Sequence, residues 1–242
     1  MKNEVRPSFY AMGTGGWRDF ITLLHIPYTV WHLSYVVLGA ASAPIIHGDR
    51  LAGLTLAFFL AVGLGAHALD EVKGRPLGTR QSKALLVGIG LSSLAGAAVM
   101  GILAIFMISF WAMPFVTFGV FITLAYNLEW FNRRFHTDVW FGIAWGAFPA
   151  LTAYWANAER IDATGLLIAC ACFGLSMAQR SLSKYVRNLR RTSVSIAGHI
   201  EYKNGNSELI SLNNLISTPE KTLKLLSMSM PLLAVSWLIA RW

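Results

Sequence analysis

Charge is what this chain has least of. Of its 242 residues 13% are charged and 55% hydrophobic, where an average soluble domain carries roughly 25% charge. That balance excludes an ordinary soluble fold. Residues 84–125 contain no charged side chain at all, and little sequence is left between the apolar runs for a separate soluble domain. Cysteine is nearly absent too. Cys170 and Cys172 stand two positions apart, and that spacing points them in different directions on a helix, which excludes a structural disulfide or a shared metal. The first nineteen residues, MKNEVRPSFYAMGTGGWRD, hold no short apolar core ahead of a small-residue cleavage site, so no cleavable signal is expected. Carboxylates are missing from 163–200. No Glu-x-x-His or His-Glu-x-x-His spacing occurs, which removes the most recognisable di-iron and zinc patterns.

What remains reads as an all-α integral membrane protein. Apolar runs long enough for a hydrocarbon core of about 30 Å recur along the chain. Seven helices are expected, over 20–43, 51–69, 84–108, 109–125, 139–156, 163–178 and 225–240, in a single transmembrane domain covering 1–242. As one helix the uncharged stretch 84–125 would run about 63 Å, so it must fold back. SFWAMP at 109–114 supplies the turn, because Pro114 cannot continue a helix without losing a hydrogen bond.

Of the 20 Lys and Arg residues, 17 fall in the N-terminal tail and the loops after the second, fourth and sixth helices; Arg50, Arg160 and Arg241 fall on the other side. The positive-inside rule then sets the N-terminus in the cytoplasm and the C-terminus across the membrane, a cell membrane if the source is prokaryotic. The net charge of +8 belongs to that one face, where anionic lipid accounts for it. No nucleic-acid partner is needed. Within a cytoplasmic segment 179–222, QRSLSKYVRNLRR spaces Leu182, Tyr185, Val186 and Leu189 along one stripe ringed by Arg180, Lys184, Arg187 and Arg190. This predicts an amphipathic basic helix lying on the membrane surface, either touching headgroups or gripping a phosphate. Asn204-Gly205 beyond it predicts a small hairpin or ordered loop.

Polar groups inside an apolar span are costly, about 2.5–3.5 kcal/mol for a charge at the bilayer centre, and so mark functional candidates. In the first helix His25, Tyr28, His32 and Tyr35 form one stripe, suited to lining a cavity or to an interhelical hydrogen-bond seam. At the end of the second, AHALDEVKGRPLGTRQS gathers His67, Asp70, Glu71, Arg75, Arg80 and Lys83. Carboxylates there suit Mg²⁺, which leaves its other positions to water and phosphate; the cations suit the phosphate itself. The same groups could instead be neutralising one another at a helix end. Between the fourth and fifth helices, YNLEWFNRRFHTD brings Tyr126, Glu129, Arg133, Arg134, His136 and Asp138 to the same side. Gly142 and Gly146 give the fifth helix a small-xxx-small face.

LHIPYTVWHLSYVVLGA in the first helix, HALDE and GRPL after the second, and YNLEWFNRRFHTDVWFGIAWGAFPALTAYWA running into the fifth together resemble the UbiA superfamily of intramembrane prenyltransferases, over roughly residues 18–180. The resemblance implies a UbiA-like helical bundle enclosing a cavity, in which an isoprenyl diphosphate lays its tail between helices and its head on Mg²⁺. Ionisation of the diphosphate then gives a carbocation that an acceptor captures.

By that resemblance His67, Asp70, Glu71, Tyr126 and Glu129 are the catalytic candidates, with Asp70 and Glu71 as metal ligands. Arg75, Arg80, Lys83, Arg133, Arg134, Arg180, Lys184 and Arg187 are the diphosphate candidates, and His25, Tyr28, His32, Tyr35 and Trp145 line the cavity. The chain departs from the family pattern in three places. His67 stands where an Asp is expected, no carboxylate occurs in the second Asp-rich region, and Trp130 lies near the place of an expected lysine. Magnesium is therefore expected at one site at most. The ligand is an isoprenoid diphosphate or another isoprenoid lipid, and the acceptor, donor length and oligomeric state stay open. Two further classes fit the residues: a non-catalytic lipid-binding membrane subunit, and a metal-dependent lipid enzyme using His25, His32, His67, Glu129 and His136.

Overall fold

The computed structural model describes residues 7–242. Lys2 and Arg6, two of the basic residues in the charge count, lie outside the described residues. Seven long helical segments follow one another: α1 Trp17–Ala41, α2 Gly48–Val72, α3 Lys83–Met107, α4 Phe110–Asn127, α5 138–158, α6 Ala163–Thr192 and α7 Leu212–Arg241. All but α5 are long and apolar enough to cross a membrane, six among the described residues. The chain is thus an all-α protein with several membrane-spanning candidates. Helix α5 owes its lower hydropathy to Trp140, Trp145, Tyr154, Trp155 and Asn157, yet it is among the better buried segments, with most of Pro149–Asn157 inside the bundle.

Helix α1 is the hub, packed against α5, α7 and α2, while α3 and α4 flank α2, and α6 closes against α5 and α7. Small residues set the closest approaches. A Cβ at Gly39 would lie 2.1 Å from the carbonyl oxygen of Ala150, and one at Gly146 would lie 2.6 Å from that of Cys172, so α5 touches both α1 and α6 backbone to backbone, as the small-xxx-small face predicts. The uncharged stretch folds back where the SFWAMP segment predicts. Helix α3 ends at Met107, Ser109 is extended, and Pro114 sits in the first turn of α4, where its missing N–H costs nothing.

Three of the helices are irregular, and a proline stands beside two of the breaks. Pro27 has no N–H for the Leu23 carbonyl and its ring crowds that turn; α1 accordingly breaks at Leu24 and His25, with His25 left-handed at φ 45°. Thr29 Oγ1 donates to the freed Leu24 carbonyl at 2.6 Å. Pro149 likewise cannot donate to Trp145, and α5 widens into a π turn over Ile143–Ala147 just before it. Helix α2 carries a longer π segment, Phe59–Ala66.

The surface helix expected at 179–191 is not a separate element. It continues α6 without a break for 30 residues from an Asp162 cap, because no Gly or Pro interrupts 175–192. At about 1.5 Å per residue that is some 45 Å, well beyond the hydrocarbon thickness. Its inner face is mixed: Gln179 and Ser183 are buried together with Val186, Leu182 and Leu189 are half-buried, and Tyr185 is exposed. Helix α7 similarly begins at Leu212, well before 225, and contains Pro219 and Pro231. The expected hairpin is present as β1 His199–Glu201 paired antiparallel with β2 Ser207–Leu209, turning at Gly205 with φ 82°; both strands are exposed.

Candidate functional site

The breaks and caps at one end of the bundle open a cavity of about 240 Å³. Helix α1 contributes His25, Tyr28 and His32; α2 contributes Val62, His67 and Asp70; Tyr126 and His136 come from the end of α4 and the loop beyond it. Helix α5 adds Trp145, and α6 adds Gln179, Arg180 and Arg187. Five separate segments of the chain therefore converge on one space.

Several groups in this cavity have their hydrogen-bonding capacity unfilled. His25 Nε2, His32 Nδ1 and the Tyr126 hydroxyl are buried without a partner, a state that costs about 1–3 kcal/mol per group in a folded protein and calls for a ligand or water. The Asp70 carboxylate and the Arg187 guanidinium line the same space and form no hydrogen bond or ion pair among the described residues. Other cavity groups are positioned by neighbours. His67 Nδ1 sits 3.2 Å from the Gly63 carbonyl, His136 Nδ1 2.9 Å from that of Tyr126, and His32 Nε2 3.2 Å from Gln179 Oε1. The His25 and His67 rings stack with centroids 4.0 Å apart, and Tyr126 packs on His136 at 4.5 Å.

Arg180 reaches the cavity from a clamp. Its Nε donates to Asp138 Oδ1 at 2.9 Å, Lys184 donates to Oδ2 at 2.7 Å, and the guanidinium lies over the Phe141 ring at 5.0 Å. The Lys184 ammonium and then the Arg180 guanidinium hold the Asp138 carboxyl below its ordinary range. The N-terminal segment closes the outer edge. Tyr10 packs on His25 and Tyr28 at 5.1 and 5.3 Å, and its burial pushes the phenol up to about 12.

Adjoining this polar space is an apolar groove of about 100 Å³ between α2, α3, α4 and α5, lined by residues such as Leu54, Phe58, Phe115 and Phe148. Val62 and Trp145 line both. Each belongs to a π segment, Val62 in α2 and Trp145 in α5, so the widened turns stand at the junction.

Not every candidate reaches the cavity. Glu71 is fully buried on the other side of α2, where its carboxylate accepts from Leu77 N, Thr79 N and Thr79 Oγ1 at 2.8–2.9 Å. It folds the loop that follows. Arg75 donates to the Thr79 carbonyl within that loop, and Arg75, Arg80 and Lys83 are exposed. Glu129 pairs with Arg133 at 3.3 Å, and Arg133 and Arg134 face outward, displaced by a run of left-handed residues from Phe131 to Arg133. The set of histidines with Glu129 therefore does not share one space. Tyr35 is buried between Trp31 and Ser176 rather than lining the cavity, and Lys184 stays half exposed on Asp138.

Tyr10, Asn127, Gln179, Ser183 and Arg191 line the cavity without having been singled out. The α6 stripe Ser176, Gln179, Ser183 and Arg187 was readable at helical spacing. Nothing in the sequence pattern around Tyr10 distinguished it. No family model matches the chain, and neither a curated protein nor a solved structure is similar to it at a significant level.

Proposed function

We propose that this protein is a UbiA-like intramembrane prenyltransferase that moves an isoprenyl group from a polyprenyl diphosphate to a small or lipid acceptor at the cytoplasmic face. One observation carries the reading: a polar cavity holding free cationic and hydrogen-bonding groups lies against an apolar groove, with Val62 and Trp145 in the walls of both. An amphiphile with a charged head and a long apolar tail suits that shape. Each buried methylene of the tail contributes about 0.8 kcal/mol, and Arg187 with Arg180 offers the charge-assisted contacts a phosphate takes. We read α5 as the seventh crossing, with the cavity end in the cytoplasm by the distribution of basic residues.

The Mg²⁺ pair that the resemblance implies does not fit this donor set. Glu71 is consumed by its own loop, and Asp70 is the one carboxylate lining the polar cavity among the described residues. Arginines stand in the second region instead. In this reading Arg187 and Arg180 receive the negative charge that develops on diphosphate as the C1–O bond breaks. Tyr126 and Trp145, packed edge to face with centroids 5.7 Å apart in the cavity wall, supply the aromatic surface that stabilises the allylic cation.

The test is full-length protein in lipid nanodiscs, assayed for co-purifying lipids by mass spectrometry and for diphosphate release from farnesyl and geranylgeranyl diphosphate. Bound isoprenoid and release that falls in the Arg187→Ala variant support the reading; neither binding nor release with either donor sinks it. A second reading, isoprenoid binding without transfer, is favoured by the sequestration of Glu71, and predicts bound lipid with no turnover.

A further inference from the structure

We infer that His67 is the proton acceptor of the cavity, held in its reactive form by the Gly63 carbonyl and by the stacked ring of His25. This deepens the transferase reading and rests on it.

Four of the six histidines in the chain line this one cavity. Their hydrogen bonds are not equivalent. The Gly63 carbonyl can only accept, so His67 Nδ1 carries the hydrogen and Nε2 is left with its lone pair. His32 spends its Nε2 on Gln179; His136 is held as His67 is, its Nδ1 on the Tyr126 carbonyl at 2.9 Å, but its ring packs on Tyr126 and on no second imidazole among the described residues. His67 and His25 stack on one another at 4.0 Å and 33°, and of that pair it is His67 whose Nδ1 hydrogen is fixed by a carbonyl. That partner is placed deliberately: His25 sits at the break in α1 with a left-handed backbone, a conformation costing about 1–2 kcal/mol in a residue with a Cβ. An imidazolium over the π face of a neutral ring is stabilised, and Asp70, one turn further along the same face of α2, offers the opposite charge.

As the donor C1–O bond breaks, diphosphate leaves with the bonding pair and the acceptor forms its bond to C1. The proton that the acceptor loses passes to His67 Nε2. The resulting imidazolium returns that proton to water at the cavity mouth. The titratable groups around His67 are His25, Tyr28 and His32 on α1, Asp70 on α2, Tyr126 and His136 opposite, and Arg180, Arg187 and Arg191 on α6, with Tyr10 packed at a tilt outside His25.

The experiment uses full-length protein in nanodiscs, farnesyl diphosphate as donor, and p-cresol and octanol as probe acceptors. Two quantities are read: the pH profile of diphosphate release, and acylation of His67 by diethyl pyrocarbonate with and without donor. Loss of a positioned general base lowers rates by about 10²–10⁴-fold. The expected result is that His67→Gln falls in that range and loses the rising limb of the profile, while farnesyl diphosphate affinity changes less than twofold. His67 is expected to be acylated and protected by donor. Turnover in His67→Gln with an unchanged profile, or no acylation of His67, overturns its role and leaves the transferase reading standing. No turnover by the unsubstituted protein overturns both, even where acylation and protection are seen.

Discussion

The two ends of the bundle handle polar groups in opposite ways. At the end holding the α1–α2 and α5–α6 connections, charges are paired or capped. Arg50 bridges Glu159 and the Ala156 carbonyl at 2.7 Å each, Asn157 accepts from the His47 backbone, and Arg241 caps the carbonyls of Ala41, Ala43 and Pro44. Asp162 takes the Tyr154 hydroxyl at 2.6 Å together with the first amides of α6. At the other end Asp70 and Arg187 face a cavity unpaired, and three buried polar atoms from His25, His32 and Tyr126 lack partners. One end spends its polar groups on holding helices together; the other keeps them in reserve for something that arrives.

Glu71 tests this division, since it sits at the open end yet is saturated, as Asp138 is by Arg180 and Lys184; the reserve there is confined to groups that face the cavity. Glu71→Ala strands two buried backbone amides, Leu77 and Thr79, at about 1–3 kcal/mol each. Thermal unfolding in detergent is expected to fall by more in this variant than in any other named here, with Glu71→Gln intermediate; a melting temperature equal to that of the unsubstituted protein would return Glu71 to the list of free groups. Gly146→Ala comes next. Its Cβ meets the Cys172 backbone, and overpacking of this kind costs about 1–3 kcal/mol, visible in the same melt and as slower accumulation of folded protein.

At the open end Arg187→Ala should leave the melt nearly unchanged while weakening farnesyl diphosphate binding about 10–100-fold, the equivalent of one or two charge-assisted contacts. Equal losses of stability and affinity would show that Arg187 is structural after all. The smallest effects belong to the paired end. Arg50→Ala is expected to cost about 1 kcal/mol or less, because Glu159 is half exposed. The Tyr154 hydroxyl, followed by Arg160, holds the Asp162 carboxyl down to about 2. A depressed carboxylate stabilises the fold above its unfolded value, near 3.9, and that contribution is lost as pH falls toward 2. Melts taken from pH 5 to pH 2 should therefore steepen slightly less in Asp162→Asn than in the unsubstituted protein.

Six of the apolar spans, the turn at 109–114 and the hairpin at Asn204-Gly205 were legible from hydropathy and turn residues, and helical spacing placed His25 with His32, and His67 with Asp70, on shared faces. What escaped depended on tertiary partners. Asp70 and Glu71 are neighbours of identical chemistry, and the facing of one toward the cavity and the other toward Leu77 and Thr79 follows from the helix rotation after the π segment. Arg133 and Arg134 were misplaced because left-handed residues at Phe131 and Asn132 carry no glycine to announce them. The basic run after Gln179 has two stripes, and polar Gln179, Ser183 and Arg187 turned inward beside Val186 because a cavity, not lipid, faced them.

That helix rotation has an evolutionary consequence. A π turn holds more residues than an α turn over the same arc, so a surplus residue within Phe59–Ala66 is absorbed where it stands, and deleting it would restore ordinary winding with His67 and Asp70 still facing the cavity. A deletion in the regular stretch Gly48–Phe58 would instead turn one part of α2 against the other by about 100°. The wide turn in α2 is thus a slack segment, in which one codon gained or lost changes the length of the helix and spares the set of reactive groups beyond it.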